Sequence, residues 1–386
     1  MHYPMTHSTF GPEETKAMHR VIDTGMFTMG CEVRTFEEQF ARFFGKKYAV
    51  MVNSGSSANL IAFSSLLYRK ENPLRPGDEI IVPCISWATT FHPLVQLGFK
   101  LRFVDINLET LNIDPVELRK AITPKTKMVV TVSILGNPCQ FDEISKICAE
   151  KKIILMEDNC ESMGAKFNGQ YTGTFGLINT FSTFYSHHIS TMEGGLIVTD
   201  DFELFCLCKS LRNHGWTRDQ DVNSTIFERK NDDFFEAYRF ILPGYNVRPG
   251  ELHGIVGQQQ LKKLPDFLEI RRRNAAHFGE YFKHDERFII QKELGASQSS
   301  WFCFTMIVRA ESKINRLQVL EKLKRANIEH RIITGGNILQ HDVIKYYNYE
   351  VTKQTNADFA HFNGFFVGNS PVDLRKEIDY LYQTLK

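Results

Sequence analysis

Phe181-Ser182-Thr183-Phe184-Tyr185-Ser186-His187-His188-Ile189-Ser190-Thr191-Met192-Glu193-Gly194-Gly195-Leu196-Ile197-Val198 reads as a strand that runs into a polar turn, then two glycines, then a second strand. Packing alone does not explain two adjacent histidines in that turn, because a buried imidazole needs partners for its ring nitrogens. Short apolar, often β-branched runs of the same kind recur at 48–52, 79–82, 101–104, 128–132, 153–156, 179–184 and 196–198. Segments with helical spacing lie between several of them, at 58–69, 115–121 and 141–150. Strands that are apolar on both faces and alternate with helices imply a mostly parallel sheet covered on each side. The expected architecture is therefore a three-layer α/β domain.

The remainder of the chain extends this frame. Residues 1–12 read as an arm, and Pro12-Glu13-Glu14 opens a helix to about Thr24, followed by helical spacing over 32–44. The polar run 219–231 reads as an exposed loop, and Leu242-Pro243-Gly244-Tyr245 as a turn. Beyond it, 251–264 and 267–282 have the character of two long helices, with Arg271, Arg272 and Arg273 on a solvated face. A strand over 301–308 and helices over 313–326 and 374–385 complete a small α+β unit. The expected division is an arm and large domain over 1–245 and a small C-terminal α+β domain over 246–386.

A chain of 386 residues accommodates two such units at roughly 100–200 residues per domain. Its net charge of +1 argues against a broad nucleic-acid or membrane surface. No apolar run approaches the roughly 18 residues of a membrane span, and the start lacks a signal-peptide pattern, so the expected location is cytoplasmic. The 8 cysteines read as reduced thiols.

Several residues could carry chemistry, each with an ordinary alternative. Asn53-Ser54-Gly55-Ser56-Ser57-Ala58-Asn59 follows a strand and opens a helix, which makes either a phosphate site or a simple cap. Asp158 lies just past an apolar strand, where α/β sheets place functional groups and where solvated strand ends also fall. Trp87 is either a core ring or a ring against a ligand. Arg248, in a proline-bounded loop, suits carboxylate or phosphate binding or the open surface, and His214 suits a substrate pocket or a structural role.

These motifs together resemble the DegT/DnrJ/EryC1/StrS family of sugar aminotransferases, which are fold-type I enzymes that use pyridoxal phosphate. The resemblance implies that Gly55, Ser56 and Ser182 hold the cofactor phosphate, that Asp158 faces the pyridine nitrogen and that Trp87 lies against the ring. Gly244-Tyr245-Asn246-Val247-Arg248 looks like the loop that in this family crosses a homodimer interface, so Asn246 would reach the neighbour's cofactor phosphate and Arg248 an anionic group of a substrate. In the family a lysine stands six positions before the glutamate of Glu-Gly-Gly; here that position is His187, and no lysine occurs between Lys166 and Lys209.

A histidine at this position resembles a narrow branch, the 3-dehydratases of GDP-4-keto-6-deoxymannose in the biosynthesis of colitose, a lipopolysaccharide O-antigen sugar. The implied activity is loss of the sugar's C3 hydroxyl, with pyridoxamine phosphate as resting cofactor, L-glutamate as amine donor and ammonia released. His187 is then the acid–base group, with the adjacent His188 as competitor or substrate contact. Imidazole cannot form the lysine's covalent tether, but it moves protons near neutral pH. Cys148, Cys206 and Cys208 are spaced like the start of an iron–sulfur motif in a related dehydratase. The fourth ligand position falls at Trp216, so no cluster or other metal is expected. The rival activities are a 4-keto-6-deoxy sugar aminotransferase of the perosamine type and an inactive cofactor-binding protein. Nothing in the sequence tells hexose from heptose.

Overall fold

In the computed structural model, which describes residues 1–386, the apolar runs assemble into one eight-stranded sheet. The first half of the chain lays down β1 (Tyr48–Val52), β2 (Glu79–Pro83), β3 (Lys100–Val104), β4 (Thr126–Val132) and β5 (Ile154–Asp158). A short hairpin, β6 (Lys166–Phe167) and β7 (Gln170–Tyr171), precedes β8 (Ile178–Ser182) and β9 (Gly195–Thr199). The C-terminal part adds β10 (Phe288–Ile290), β11 (Ser297–Gln298), β12 (Cys303–Val308), β13 (His330–Arg331), β14 (Tyr349–Val351) and β15 (Gly364–Gly368). The large sheet has the order β1-β9-β8-β5-β4-β2-β3-β14. Its neighbours are parallel except where β9 pairs antiparallel with both β1 and β8.

The helices fall on both faces, as continuous apolar strands require. In chain order they are α1 (Pro12–Thr24), α2 (Cys31–Phe43), α3 (Gly55–Leu67), α4 (Ala88–Gln96), α5 (Pro115–Ala121), α6 (Phe141–Lys151), α7 (Phe202–Arg212), the single turn α8 (Asp233–Glu236), α9 (Glu251–Phe282), α10 (Arg316–Arg325), α11 (Thr355–Asn363) and α12 (Arg375–Leu385). Alternate strand residues divide between the layers: Val50, Val52, Val130 and Ile197 pack with α3, α4 and α7, whereas Met51 and Leu196 face α2 and Val129 faces α5 and α6. Cys148 and Cys208 sit in cores on opposite faces of this sheet. No helix is long and apolar enough to cross a membrane.

A second sheet, β10-β12-β15-β13, is antiparallel throughout and is covered by the C-terminal half of α9 together with α10 and α12. Cys303 and Ile307 of β12 and Ala357 and Ala360 of α11 belong instead to the large-sheet core. The two sheets therefore share apolar contacts, and β14 returns from the C-terminal part to the edge of the large sheet.

Two expectations are corrected here. The separate helices over 251–264 and 267–282 are one helix, α9, which runs through Pro265. Proline removes one backbone hydrogen bond, but Leu264 and Leu268 are held in one core and Ala275 and Phe278 in another, so packing carries the helix across. The arginines, expected on a solvated face, are partly internal: Arg271 is 1% exposed and donates to the carbonyls of Phe302 (3.1 Å) and Asn369 (2.6 Å), and Arg272 donates to Ser299 and Gly164 carbonyls. A helix wedged between two sheets has less free surface than its charge run suggests; only Arg273 is exposed. The start of α9 has a second structural task. Buried Glu251 accepts from the backbone N–H groups of Gly30 (2.7 Å), Glu32 (2.8 Å) and Val33 (3.0 Å), and so caps α2, whose own N-cap Gly30 has no side chain to do so.

Candidate active site

A cavity of about 520 Å³ opens at the carboxyl ends of β1, β4, β5 and β8, where the strands hand over to their helices. Gly55, Ser56, Trp87, Asp158, Ser182 and His187 all line it. A wider groove of about 920 Å³ beside α2 and α7 contains none of these residues.

One wall is the N-terminus of α3. Ser54 caps the helix by accepting from Ser57 N–H at 3.0 Å, while Gly55 and Ser56 begin the helix with N–H groups that have no intrahelical acceptor. A side chain at position 55 would put its Cβ only 2.7 Å from Ser182 Cβ, so glycine lets the helix end close on the β8 strand end. Gly195 plays the same part from below, since a Cβ there would strike the Ser54 carbonyl.

The floor is organised around Asp158. Its Oδ2 accepts from Asn59 Nδ2 (2.8 Å) and Thr90 Oγ1 (2.7 Å), and its Oδ1 from the Cys160 N–H (3.2 Å). Asn59 is in turn fixed by Thr180 Oγ1, which donates to its Oδ1 at 2.6 Å. A buried carboxylate with this many donors is held in one orientation.

His187 stands over the same backbone. The quoted stretch is a long antiparallel hairpin joining β8 to β9, pinned by Thr183 N–H to the Gly194 carbonyl (2.9 Å) and by the facing Thr183 and Thr191 hydroxyls (2.6 Å). His187 Nδ1 lies 2.7 Å from the Cys160 carbonyl oxygen. A carbonyl only accepts, so Nδ1 carries the proton and Nε2 keeps its lone pair. The cavity walls desolvate the ring and pull its pKa down to about 4, against the raising effects of the Cys160 carbonyl and Asp158. Glu161, on the adjacent wall, is pushed up to about 7 by burial, although Leu135 N–H and Thr334 Oγ1 donate to it at 3.0 and 3.2 Å.

The structure does not bring every expected residue to this cavity. His188 is corrected: it is 0% exposed, its ring sits 5.4 Å from Phe302, and neither ring nitrogen has a partner. His188 is turned into the protein and is absent from the lining of the cavity that His187 enters. Burial and the nearby Arg271 guanidinium hold it well below the usual histidine pKa. His214, Asn246 and Arg248 are exposed and cluster away from their own chain's cavity. Asn213 bridges to Asn246, His214 N–H donates to the Tyr245 carbonyl at 2.7 Å, and Arg248 Nε donates to Asn246 Oδ1 at 3.1 Å.

Sequence reasoning missed Asn59, Thr90, Thr180 and Glu161. Asn59 had a readable signal, being a polar residue inside a helix that is otherwise apolar on nearly every side. Phe302, whose ring lies 5.1 Å from that of His187, comes from the far C-terminal part and had none.

The desolvated ring yields a pH expectation. A folded pKa near 4 leaves His187 neutral from about pH 5.5 to 8, with protonation only as pH falls further. Histidine-labelled NMR, assigned with His187→Ala, should show this ring not titrating in that window and protonated at Nδ1. A midpoint at 6.5 or above would contradict the assignment.

Comparison with known proteins fits this geometry. Residues 9–367 match the DegT/DnrJ/EryC1/StrS aminotransferase family. The chain is 51% identical to the GDP-4-keto-6-deoxy-D-mannose 3-dehydratase of Escherichia coli O55:H7, covering 100% of each. It is 47% identical to the protein of the same name from Yersinia pseudotuberculosis, covering 100% of this chain and 98% of that one. A crystal structure of GDP-4-keto-6-deoxymannose-3-dehydratase with a trapped PLP-glutamate geminal diamine superposes with a TM-score of 0.97 at 50% identity, covering 100% of both chains. The expected fold-type I architecture stands, and the chain belongs to the DegT/DnrJ/EryC1/StrS aminotransferase family.

Proposed function

We propose that this enzyme removes the C3 hydroxyl of GDP-4-keto-6-deoxy-D-mannose, with pyridoxal or pyridoxamine phosphate as cofactor and L-glutamate as amine source. The products are the 4-keto-3,6-dideoxy sugar, 2-oxoglutarate and ammonia. The balance closes: replacing C–OH by C–H takes two electrons and two protons and releases one water, and converting glutamate to 2-oxoglutarate and ammonia consumes that water and supplies those electrons and protons. The observation that carries this reading is His187: a neutral imidazole, anchored through Nδ1, stands where the family has its tethering lysine.

The residues present fit the cofactor. The free N–H groups of Gly55 and Ser56, with the Ser182 hydroxyl beside them, make an anion cradle at a helix N-terminus. Asp158, oriented by Asn59 and Thr90, is placed to pair with a protonated pyridine nitrogen, and Trp87 offers a ring face at the cavity wall. When bound, the cofactor supplies an amine and an electron sink.

The chain's own residues do the rest. Asp158 holds its negative charge toward the ring nitrogen and cannot rotate away without breaking two side-chain bonds. His187 takes up a proton at Nε2 and returns one, while the Cys160 carbonyl stabilises the charged ring. Lacking a primary amine, it cannot capture the cofactor, so no covalent tether competes with the sugar. Phe302 crowds the imidazole and excludes water from its flank.

The exposed cluster of His214, Asn246 and Arg248 serves a second copy of the chain in this reading. The same arm displays Phe234, Tyr238 and Phe240 at 94%, 71% and 56% exposure, an apolar surface suited to burial in a homodimer.

Incubating the protein with pyridoxal phosphate, glutamate and GDP-4-keto-6-deoxy-D-mannose should release 2-oxoglutarate and ammonia together and give a product without the C3 hydroxyl. His187→Ala should lower that rate roughly 100-fold or more. Nitrogen retained in the sugar would mean amino transfer instead, and an undiminished His187→Ala would remove the base assignment. Mixing His187→Ala with Asn246→Ala/Arg248→Ala tests the shared site. Random C2 dimers should regain about a quarter of wild-type activity, whereas no recovery would exclude arms that cross between copies.

A further inference from the structure

Arg271, on α9, is a buried cation that no carboxylate pairs with. Burial pulls its pKa down only to about 10, so it stays charged at neutral pH. Enclosing a charge without a counter-charge is costly, and an apolar side chain of similar size would be the stabler choice if packing were its only task. Its side-chain bonds go to one place. Nη1 donates to the carbonyls of Phe302 (3.1 Å) and Asn369 (2.6 Å), which stand just beyond Cys303 and Gly368, the last pair of the β12–β15 ladder. The guanidinium therefore replaces the next rung, at the end of the second sheet that meets the active-site cavity. Asn369 Nδ2 completes the tie by donating to the Trp301 carbonyl at 2.7 Å and the Arg271 carbonyl at 3.2 Å.

The segment held in this way is strained. Trp301 has a φ of 47°, a left-handed conformation in which a bulky residue persists only where its surroundings over-determine it. It grips a second such turn, Leu135 and Gly136 at φ of 50° and 97°. Phe302 N–H donates to the Leu135 carbonyl at 3.0 Å, and Ser300 N–H and Ser299 Oγ to the Gly136 carbonyl at 2.9 and 2.8 Å. The consequence is a ring delivered to one spot. Phe302 lines the cavity with its centroid 5.1 Å from that of His187 and 5.4 Å from that of His188. His187 has use for such a support, because its one side-chain hydrogen bond, from Nδ1 to the Cys160 carbonyl, leaves the ring free to swing about that contact. Charge acts in the same sense. The Arg271 guanidinium opposes protonation of both imidazoles, with Arg272 and His187 adding to it at His188. Asp158 and the Cys160 carbonyl work against it at His187, and the Ser300 backbone at His188.

Resting on the dehydratase reading above, we infer that Arg271 is a positioning residue for His187: it clamps the Trp301–Phe302 backbone so that the Phe302 ring holds the imidazole on its Cys160 anchor. His187 comes from the β8–β9 hairpin and Phe302 from the segment leading into β12, and Arg271 fastens that segment to α9. A reacting group displaced by about 1 Å loses on the order of 100-fold in rate. The clamp therefore bears on the chemical step and leaves substrate binding alone.

The experiment compares wild-type holoenzyme with Arg271→Met, Phe302→Leu, the double variant and Arg271→Lys. Steady-state kinetics gives kcat and the KM for the nucleotide sugar, and histidine-labelled NMR gives the tautomer and titration of His187. Arg271→Met and Phe302→Leu should each lower kcat by about 10- to 100-fold, with KM within about twofold of wild type. The double variant should fall no more than about twofold below the slower single one, because both changes remove the same support. In each, His187 should show a mixture of tautomers in place of the single Nδ1-protonated form, and in Arg271→Met its titration midpoint should move upward. An undiminished kcat in folded Arg271→Met, a double variant whose loss is the product of the two single losses, or unchanged His187 signals would overturn the inference. Should Arg271→Met not fold, Arg271→Lys, which keeps the charge but not the planar fork, carries the same comparison with Phe302→Leu. Should wild type fail to dehydrate the sugar, the functional reading fails, and the NMR comparison alone still decides the role of Arg271.

Discussion

The backbone of Cys160 couples the two groups on which the site depends. Its N–H donates to Asp158 and its carbonyl accepts from His187, so one residue sets the position of the carboxylate and the tautomer of the imidazole together. Cys160 lies two residues beyond the end of β5, a strand paired on both sides within the large sheet. Rigidity in the sheet is thereby passed to the site through these two hydrogen bonds of the Cys160 backbone. The remaining donors on Asp158 come from α3 and α4, and Asn59 is tied back to β8 through Thr180. Strand ends, helix starts and the hairpin converge on one polar knot in an otherwise apolar interior.

Replacing a lysine with a histidine at this place changes the physics of the chamber as well as its chemistry. A lysine brings a cation that desolvation must suppress and a primary amine that forms covalent bonds with aldehydes. His187 brings neither. Enclosure in the cavity favours the uncharged ring, and the Cys160 carbonyl leaves the basic nitrogen free. The result is an acidic cavity containing a neutral base, in which Asp158 is saturated with donors and Glu161, pushed up to about 7, straddles its two protonation states near neutral pH. Such an environment receives anionic substrates poorly unless cations stand at its rim, which gives the distribution of charge around the mouth its functional weight.

Much of this was legible in the sequence, for identifiable reasons. Short runs of branched apolar residues mark strands buried on both faces; the seven runs expected between 48 and 198 fall on strands of the large sheet, and the run over 301–308 falls on the second sheet. The Ser-Gly turn, Asp158 and the histidine turn each follow such a strand directly, so their convergence at the carboxyl ends follows from topology. What stayed hidden depends on contacts between distant segments. Two neighbouring histidines look alike as letters, and only the twist of the hairpin sends one to the cavity and the other behind Phe302. Arg271 looked solvated because a charge run says nothing about a second sheet packed on the same helix. Phe302 arrives from the far C-terminal part with no local motif, and its place beside His187 depends on how the second sheet lies against the first.

The central claim is that no residue of this polypeptide forms a covalent bond with the cofactor, because an imidazole has taken the place of the amine. Borohydride reduction of the protein loaded with pyridoxal phosphate, followed by denaturation, dialysis and intact-mass measurement, tests it most directly. The account predicts a mass equal to that of the unmodified chain. A stable mass increase of one reduced cofactor per chain would contradict it.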